Sequence, residues 1–394
     1  MIVWKEENET SPLWSGFDSM KPVDKKNNNN LSFSPENMHA KISEFCRFVK
    51  KCIYPEISFK SHHNVKYNDE ILLDALTYIA MNHDFTENGC KTFKRTKGKS
   101  PDAETLMYRI KRFDEDEEYI IFDRILEKIL QIAKSYNLFK RSVDVAIDIT
   151  DNPYYGDKDD YMVCGTKPNE GTRYAYKYAT INIVVAGRRF TLAVFSINRS
   201  AFPDDLVKGL IEEAQKIVKI RTVFLDRWFF TIGVIRFLKK SGIKFLMPAR
   251  RTPKINKLIR RIKPPRFFVH ILGDRYQGFE TTFLYVINDE WGNQRLFATN
   301  IFLPEENAGK FFDMYSRRWG IETSYRVKNV FRSRTTSKNY KIRYFYFMFS
   351  VCLYNLWVLV NAFIGLFFGR DFKKPLITAK FFGTLLYSFV IEPP

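Results

Sequence analysis

Three carboxylates stand out for where they sit rather than for their type. Asp148 interrupts an apolar run, AIDIT. Asp226 closes another, VFLDRWF. Glu322 lies within residues 315–331, YSRRWGIETSYRVKNVF, which read as one helix with Gly320 as its weak point. A carboxylate set among Val, Ala and Ile is costly to bury without a partner. A hard divalent cation is one such partner, because it takes oxygen ligands and keeps positions open for water and phosphate. Two strand acids and one helix acid can converge at a sheet edge, where ligand sites of α/β folds usually lie. Each acid also has a plainer reading: Asp148 in a turn with Thr150 and Asp151, Asp226 paired with Arg227, Glu322 on an ion-paired surface helix. On an ideal helix Tyr315, Arg318, Glu322 and Asn329 share one face, and Arg326 lies one turn beyond Glu322. Taken together, in this order and on these elements, the three acids favour a site.

The elements that must position them follow from the hydrophobic pattern. Residues 142–149 alternate into a strand, and residues 178–186 and 189–197 are two more β-rich runs joined at Gly187-Arg188 as a tight hairpin would be. Residues 204–219 form an amphipathic helix, 222–225 a short strand ending at Asp226, 229–241 a helix and 243–247 another strand. The order β, β, β, α, β, α, β is that of an α/β domain with a mixed sheet. Residues 250–303 are β-rich, with strands expected at 267–273, 280–288 and 294–302. Pro304 then opens the helical run that carries Glu322.

Upstream, residues 36–137 read as helical. Asn68 is placed to cap a helix over 69–81, Ser100-Pro101-Asp102 is a helix start, and 114–136 is a longer amphipathic helix. Residues 91–99, KTFKRTKGK, read as a basic loop, either phosphate-contacting or simply solvated. Residues 1–35 are polar and read as a poorly ordered tail. The apolar run 345–369 is long enough to cross a bilayer. It contains Ser350, Asn355, Asn361 and Gly365, and it follows a charged helix, so a buried helix is expected and no membrane. The expected division is a tail (1–35), a helical region (36–137), the first part of a core (138–249), a β-rich insertion (250–303) and the completion of the core (304–394).

Charge and cysteine usage narrow the class. The 63 Lys and Arg against 44 Asp and Glu give a net charge of +19. That excess favours a polyanionic partner, nucleic acid first and anionic membrane second. Five scattered cysteines without a CxxC pair indicate neither a disulfide framework nor a zinc site, which suits a reducing cytoplasm.

These residues carry a resemblance to the DDE transposases of prokaryotic insertion sequences, archaeal-like members of the branch whose ribonuclease-H-like core holds a β-strand insertion. Asp148-Ile149-Thr150 is similar to that family's Asp-x-Thr pattern. Leu225-Asp226-Arg227-Trp228-Phe229 is similar to its Asp-Arg-Gly-Phe pattern, with Trp228 in place of glycine. Tyr315, Arg318 and Glu322 match the Tyr-x2-Arg-x3-Glu signature. The signature lysine, seven residues after the glutamate, is replaced by Asn329, with Lys328 one short and Arg326 better placed as a substitute.

The resemblance spans about residues 140–365. It implies an α/β fold with a ribonuclease-H-like mixed sheet, preceded by a helical DNA-binding region. It implies Asp148, Asp226 and Glu322 as catalytic residues holding two Mg²⁺ or Mn²⁺ ions. Tyr315, Arg318, Arg326, Lys328 and Asn329 are the implied DNA contacts. The implied reaction frees a 3′-hydroxyl at the element end and joins it to target DNA. The implied partners are the element ends and target DNA, with a homodimer on paired ends and no membrane, in a prokaryotic cytoplasm near the nucleoid. Two alternatives stay open: a ribonuclease-H-like nuclease or resolvase that does not join strands, and an inactive DNA-binding remnant.

Overall fold

Val143, Val145, Ile147 and Ile149 alternate with Asp144, Ala146 and Asp148, a period of two that suits a pleated strand packed on both faces. The computed structural model of the chain describes residues 50–60, 65–114, 116–139, 142–276, 278–367 and 374–391. In it Ser142–Pro153 forms β1, near the middle of a large mixed sheet. β1 runs antiparallel to β3 (Thr172–Ile183) and parallel to β5 (Lys219–Phe224). β2 (Val163–Asn169) and β4 (Thr191–Ile197) pair in succession along the other edge of β3. Beyond β5 come β6 (Lys244–Pro248), then β9 (Gln294–Thr299), β8 (Gly278–Asn288) and β7 (Arg266–Asp274).

The alternation divides two cores. Val145, Ile147, Val223, Leu225, Phe245 and Met247 point into the larger one, and Ala146, Phe224 and Leu246 into the smaller. Before β1 lie the helices α1 (Asp69–Met81), α2 (Thr86–Lys97), α3 (Ala103–Lys111) and α4 (Glu117–Ser135). Asn68 and Asp102 cap α1 and α3 as their types foretell, accepting from the amides of Ile71 and Thr105. α5 (Pro203–Gln215) and α6 (Ile232–Lys240) join the larger core. So does the short α7 (Pro253–Ile259), through Ile255 and Ile259. The smaller core is covered by α8 (Lys310–Ser316) and α9 (Trp319–Val330), through Phe311 and Ile321. α10 (Tyr340–Phe367) and α11 (Ala379–Ile391) complete the larger core.

Several expectations shift. The basic stretch 91–99 is not a loop: it lies mostly in α2, which ends at the left-handed Gly98 (φ +77°). Its apolar side is only Cys90 and Phe93, too sparse to show a period, while Lys94, Arg95 and Lys97 suit the negative end of the helix dipole. β2, and the first part of β3, are strands where none is expected. Gly165 and Pro168 break the β pattern of β2, which pairs on its other side with nothing among the described residues. The helix expected over 315–331 is two helices, broken at Arg317-Arg318. The β-rich segment is hydrogen-bonded into the main sheet, since β9 pairs with β6 from Leu246 opposite Thr299 to Pro248 opposite Phe297.

α10 is the one helix among the described residues long and apolar enough to cross a membrane, and 94% of its most apolar window is buried inside the protein. Residues 1–35, and residues 36–49 of the expected helical region, lie outside the described residues.

Candidate active site

The pairing of β1 with β5 places the first two acids. Ala146 stands opposite Phe224 in a parallel ladder. Asp148 and Asp226 are each two residues further on, so the period of two turns both to the face of the smaller core, on strands about 4.8 Å apart. Asp226 is the N-cap of a short 3₁₀ turn (Arg227–Phe229) and accepts from the Trp228 amide at 2.6 Å. Tyr315, at the end of α8, donates to the carbonyl of Leu225 at 3.1 Å, tying α8 to the residue before Asp226.

Arg318 brings in the third acid. Its guanidinium donates to Asp148 Oδ2 at 3.2 Å and to Glu322 Oε1 at 2.7 Å, one turn along α9. It also lies over the Tyr315 ring, 5.4 Å from its centre. The side chains of Arg318 and Asp148 are 13% and 14% exposed, that of Glu322 42%, so the cluster opens to solvent on the Glu322 side. Burial pushes the Asp148 carboxyl up to about 6. Arg318 opposes that rise, and the nearby charges of Asp226 and Glu322 add to it.

Sequence position does not show the neighbours of this cluster. Arg317 turns the other way and pairs with Asp144, which also takes a two-pronged bond from Arg221 at 2.8 and 2.6 Å. The signal was present: Asp144 and Asp148 are four apart in one strand and so share a face. Tyr325 donates to the Asp148 carbonyl at 3.0 Å, a contact no motif reveals because its acceptor is main chain.

The five expected DNA contacts separate. Arg326 and Asn329 are exposed, and Tyr315 and Arg318 lie partly buried at the cluster. Lys328 departs from expectation, being 1% exposed and turned toward the sheet. Six residues carry it about 240° round the helix from Glu322, away from the open side. Its ammonium donates to Asn182 at 3.1 Å and to Ser324 at 3.4 Å and lies over the rings of Tyr325 and Tyr354. Burial pushes its pKa down to about 7.

The donor set suits a hard divalent cation. All three candidate ligands are carboxylates; burial does most to raise Asp148, the charges of Asp226 and Glu322 add to the rise, and a cation relieves that added repulsion. Among the described residues no three His, Cys, Asp or Glu side chains are already gathered to ligate an ion. Arg318 spans Asp148 and Glu322 in their place, a positive group lodged between the two carboxylates.

The raised Asp148 carboxyl has a measurable consequence for the metal-free protein. The folded state holds the proton more tightly than the unfolded chain between the ordinary 3.8 and about 6, so stability falls as pH rises through that window. Asp148→Asn removes this slope. In chelator, the variant is expected to gain on the wild type by about 2 kcal/mol between pH 4 and pH 7 in urea unfolding. A gap constant with pH would place the Asp148 carboxyl at its ordinary value.

A family model described as Transposase DDE domain matches residues 145–356, from the middle of β1 into α10 and across all three acids. Among solved structures, the chain is similar to the cryo-EM structure of a piggyBac transposase synaptic complex with hairpin DNA. The identity is 13%, the match covers 91% of this chain and 80% of that one, and the TM-score is 0.60. At that identity the likeness establishes the fold, a ribonuclease-H-like mixed sheet preceded by a helical region. No curated protein matches the chain. The matched segment is more than half of the 394 residues, and the chain belongs to the transposase DDE domain family.

Proposed function

We propose that this chain cuts DNA at the ends of an insertion sequence and joins the freed 3′-hydroxyls to target DNA. The observation that carries the reading is the placing of Asp148 on β1 and Asp226 two residues beyond the end of the neighbouring β5, with Glu322 joined to Asp148 through Arg318. Asp148, Asp226 and Glu322 would hold two Mg²⁺ or Mn²⁺ ions, which supply an activated water and charge stabilisation at the leaving oxygen. Arg318 bridges Asp148 and Glu322 in the free protein and would be free to meet a DNA phosphate once cations held the acids. Tyr315 fixes α8 against the strand that presents Asp226. The same centre serves cleavage and joining, and no covalent protein–DNA link is required.

Arg326 and Asn329 lie on the exposed side of α9, toward which Glu322 opens, and are the side chains we assign to backbone phosphate. Such contacts fix register rather than sequence. Arg326→Ala is expected to weaken binding to all DNA sequences alike and to lower the salt slope of log K by about 1. Lys328→Met is expected to leave that slope unchanged, because its ammonium is buried. Titrations in fluorescence anisotropy between low and moderate salt separate the two, and a reduced slope in Lys328→Met would return that lysine to the DNA interface.

The similar piggyBac structure is of a synaptic complex with hairpin DNA. By analogy we place two copies of this chain on paired ends, in the branch of insertion-sequence transposases with a β-strand insertion, acting on DNA in a prokaryotic cytoplasm. The test is incubation with DNA that carries the sequences flanking this gene, in Mg²⁺ or Mn²⁺. Cleavage at the element ends is expected, and intact DNA with both ions would overturn the reading.

A further inference from the structure

A buried polar chain runs behind the candidate site, and its direction can be worked out bond by bond. The Asp148 carbonyl can only accept, so Tyr325 spends its one hydroxyl proton there, at 3.0 Å. Tyr325 therefore accepts from the Thr180 hydroxyl, 2.7 Å away. With its own proton so committed, Thr180 accepts from the Asn182 amide nitrogen at 2.7 Å. That leaves the Asn182 amide oxygen, which can only accept, facing Lys328, which donates to it at 3.1 Å. The Thr191 hydroxyl donates to the same oxygen at 2.7 Å and fixes the orientation of the amide. Every donor thus points from Lys328 toward Asp148.

The setting makes this chain hard to replace by water. Thr180, Asn182, Thr191 and Lys328 are each at most 1% exposed. The rings of Tyr325 and Tyr354 lie 4.7 and 5.1 Å from the ammonium and compensate its burial. Thr180 stands directly opposite Asp148 in the β1–β3 ladder, so the chain meets the sheet at the level of the candidate ligand. Hydrogen bonds in a dry interior polarise one another along such a chain.

We infer that Lys328 is a positioning residue for Asp148, holding its backbone through these four hydrogen bonds rather than touching DNA. The inference rests on the reading of Asp148 as a metal ligand. Groups that orient a ligand from behind change metal affinity by about 10- to 100-fold when lost. Lys328 and Tyr325 both lie on α9, so the chain leaves that helix at Lys328 and returns to it at Tyr325. The relay thereby couples the register of α9 to β1.

The experiment is Mn²⁺ binding by isothermal titration calorimetry on the full chain, with Lys328→Met, Tyr325→Phe, the double variant and Asp148→Asn. Tyr325→Phe removes one oxygen and leaves the ring under Lys328, so it keeps the test open if Lys328→Met fails to fold. Each single variant is expected to raise the Mn²⁺ dissociation constant about 10-fold. The double variant is expected to match the single ones rather than multiply them, since both break one chain. Cleavage is expected to recover at saturating Mn²⁺. Wild-type affinity in a folded Tyr325→Phe, with binding lost in Asp148→Asn, would overturn the relay. Wild-type affinity in Asp148→Asn would overturn the metal site itself, and the inference with it.

Discussion

Asp148→Asn, Asp226→Asn and Glu322→Gln are each expected to lower strand cleavage by about 1,000-fold or more in saturating Mg²⁺, with DNA binding and folding retained. Each change removes a charged oxygen donor and keeps the shape. The loss corresponds to about 4 kcal/mol of transition-state stabilisation, within what metal-assisted charge neutralisation supplies. Folding is expected to survive because no acid of the three anchors the core. Asp148 is held in the free protein by Arg318 and its own strand, and Asp148→Asn relieves a raised carboxyl instead of breaking a favourable one. Asp226→Asn keeps an oxygen for the Trp228 amide, since Asn caps as well as Asp. Quantitative cleavage kinetics on one substrate, with anisotropy on the same preparations, separate a chemical defect from a binding one. Any acid whose neutralisation leaves cleavage near wild type leaves the site.

The second large effect is on stability. Asn355 is fully buried in α10, and its amide completes the backbone of Thr191: it accepts from the Thr191 N–H at 2.9 Å and donates to the Thr191 carbonyl at 2.8 Å. Asn355→Leu strands both main-chain groups in the core, at about 1–3 kcal/mol each. The expected loss is about 2–5 kcal/mol, read as a lower denaturant midpoint. The sign matters as much as the size. In a helix facing lipid, replacing Asn by Leu is favourable. A raised midpoint would therefore contradict the packing of α10 as a core helix.

How much of this could be read from residues alone differs by element. Acids at 148 and 226 announced themselves by interrupting apolar runs, and the strand ends followed. What could not be read was the register that sets them side by side, because Ala146 opposite Phe224 is a property of two strands and their crossover. The basic stretch after Cys90 hid a helix because only two apolar residues mark its inner face.

The break at Arg317-Arg318 has no Pro or Gly at it. Nearby, a Cβ on Gly320 would sit 2.7 Å from Arg189 Nε, so any other residue there would require the Arg189 side chain to shift. The break has a functional face too, since the two arginines part there, Arg317 to Asp144 and Arg318 to Asp148. Lys328 read as a displaced phosphate contact because the signature is written as spacing along a chain. The helix turns that spacing inward, where the lysine meets Asn182 instead.

The central claim is that Asp148, Asp226 and Glu322 act as one centre that both cuts and joins. The most direct measurement supplies a pre-cut element end with a free 3′-hydroxyl and a supercoiled target plasmid, in Mg²⁺. The expected result is covalent joining of the end to the plasmid, dependent on Mg²⁺ and lost in Glu322→Gln. Nicking of the plasmid without joining, or joining that persists in Glu322→Gln, would contradict it.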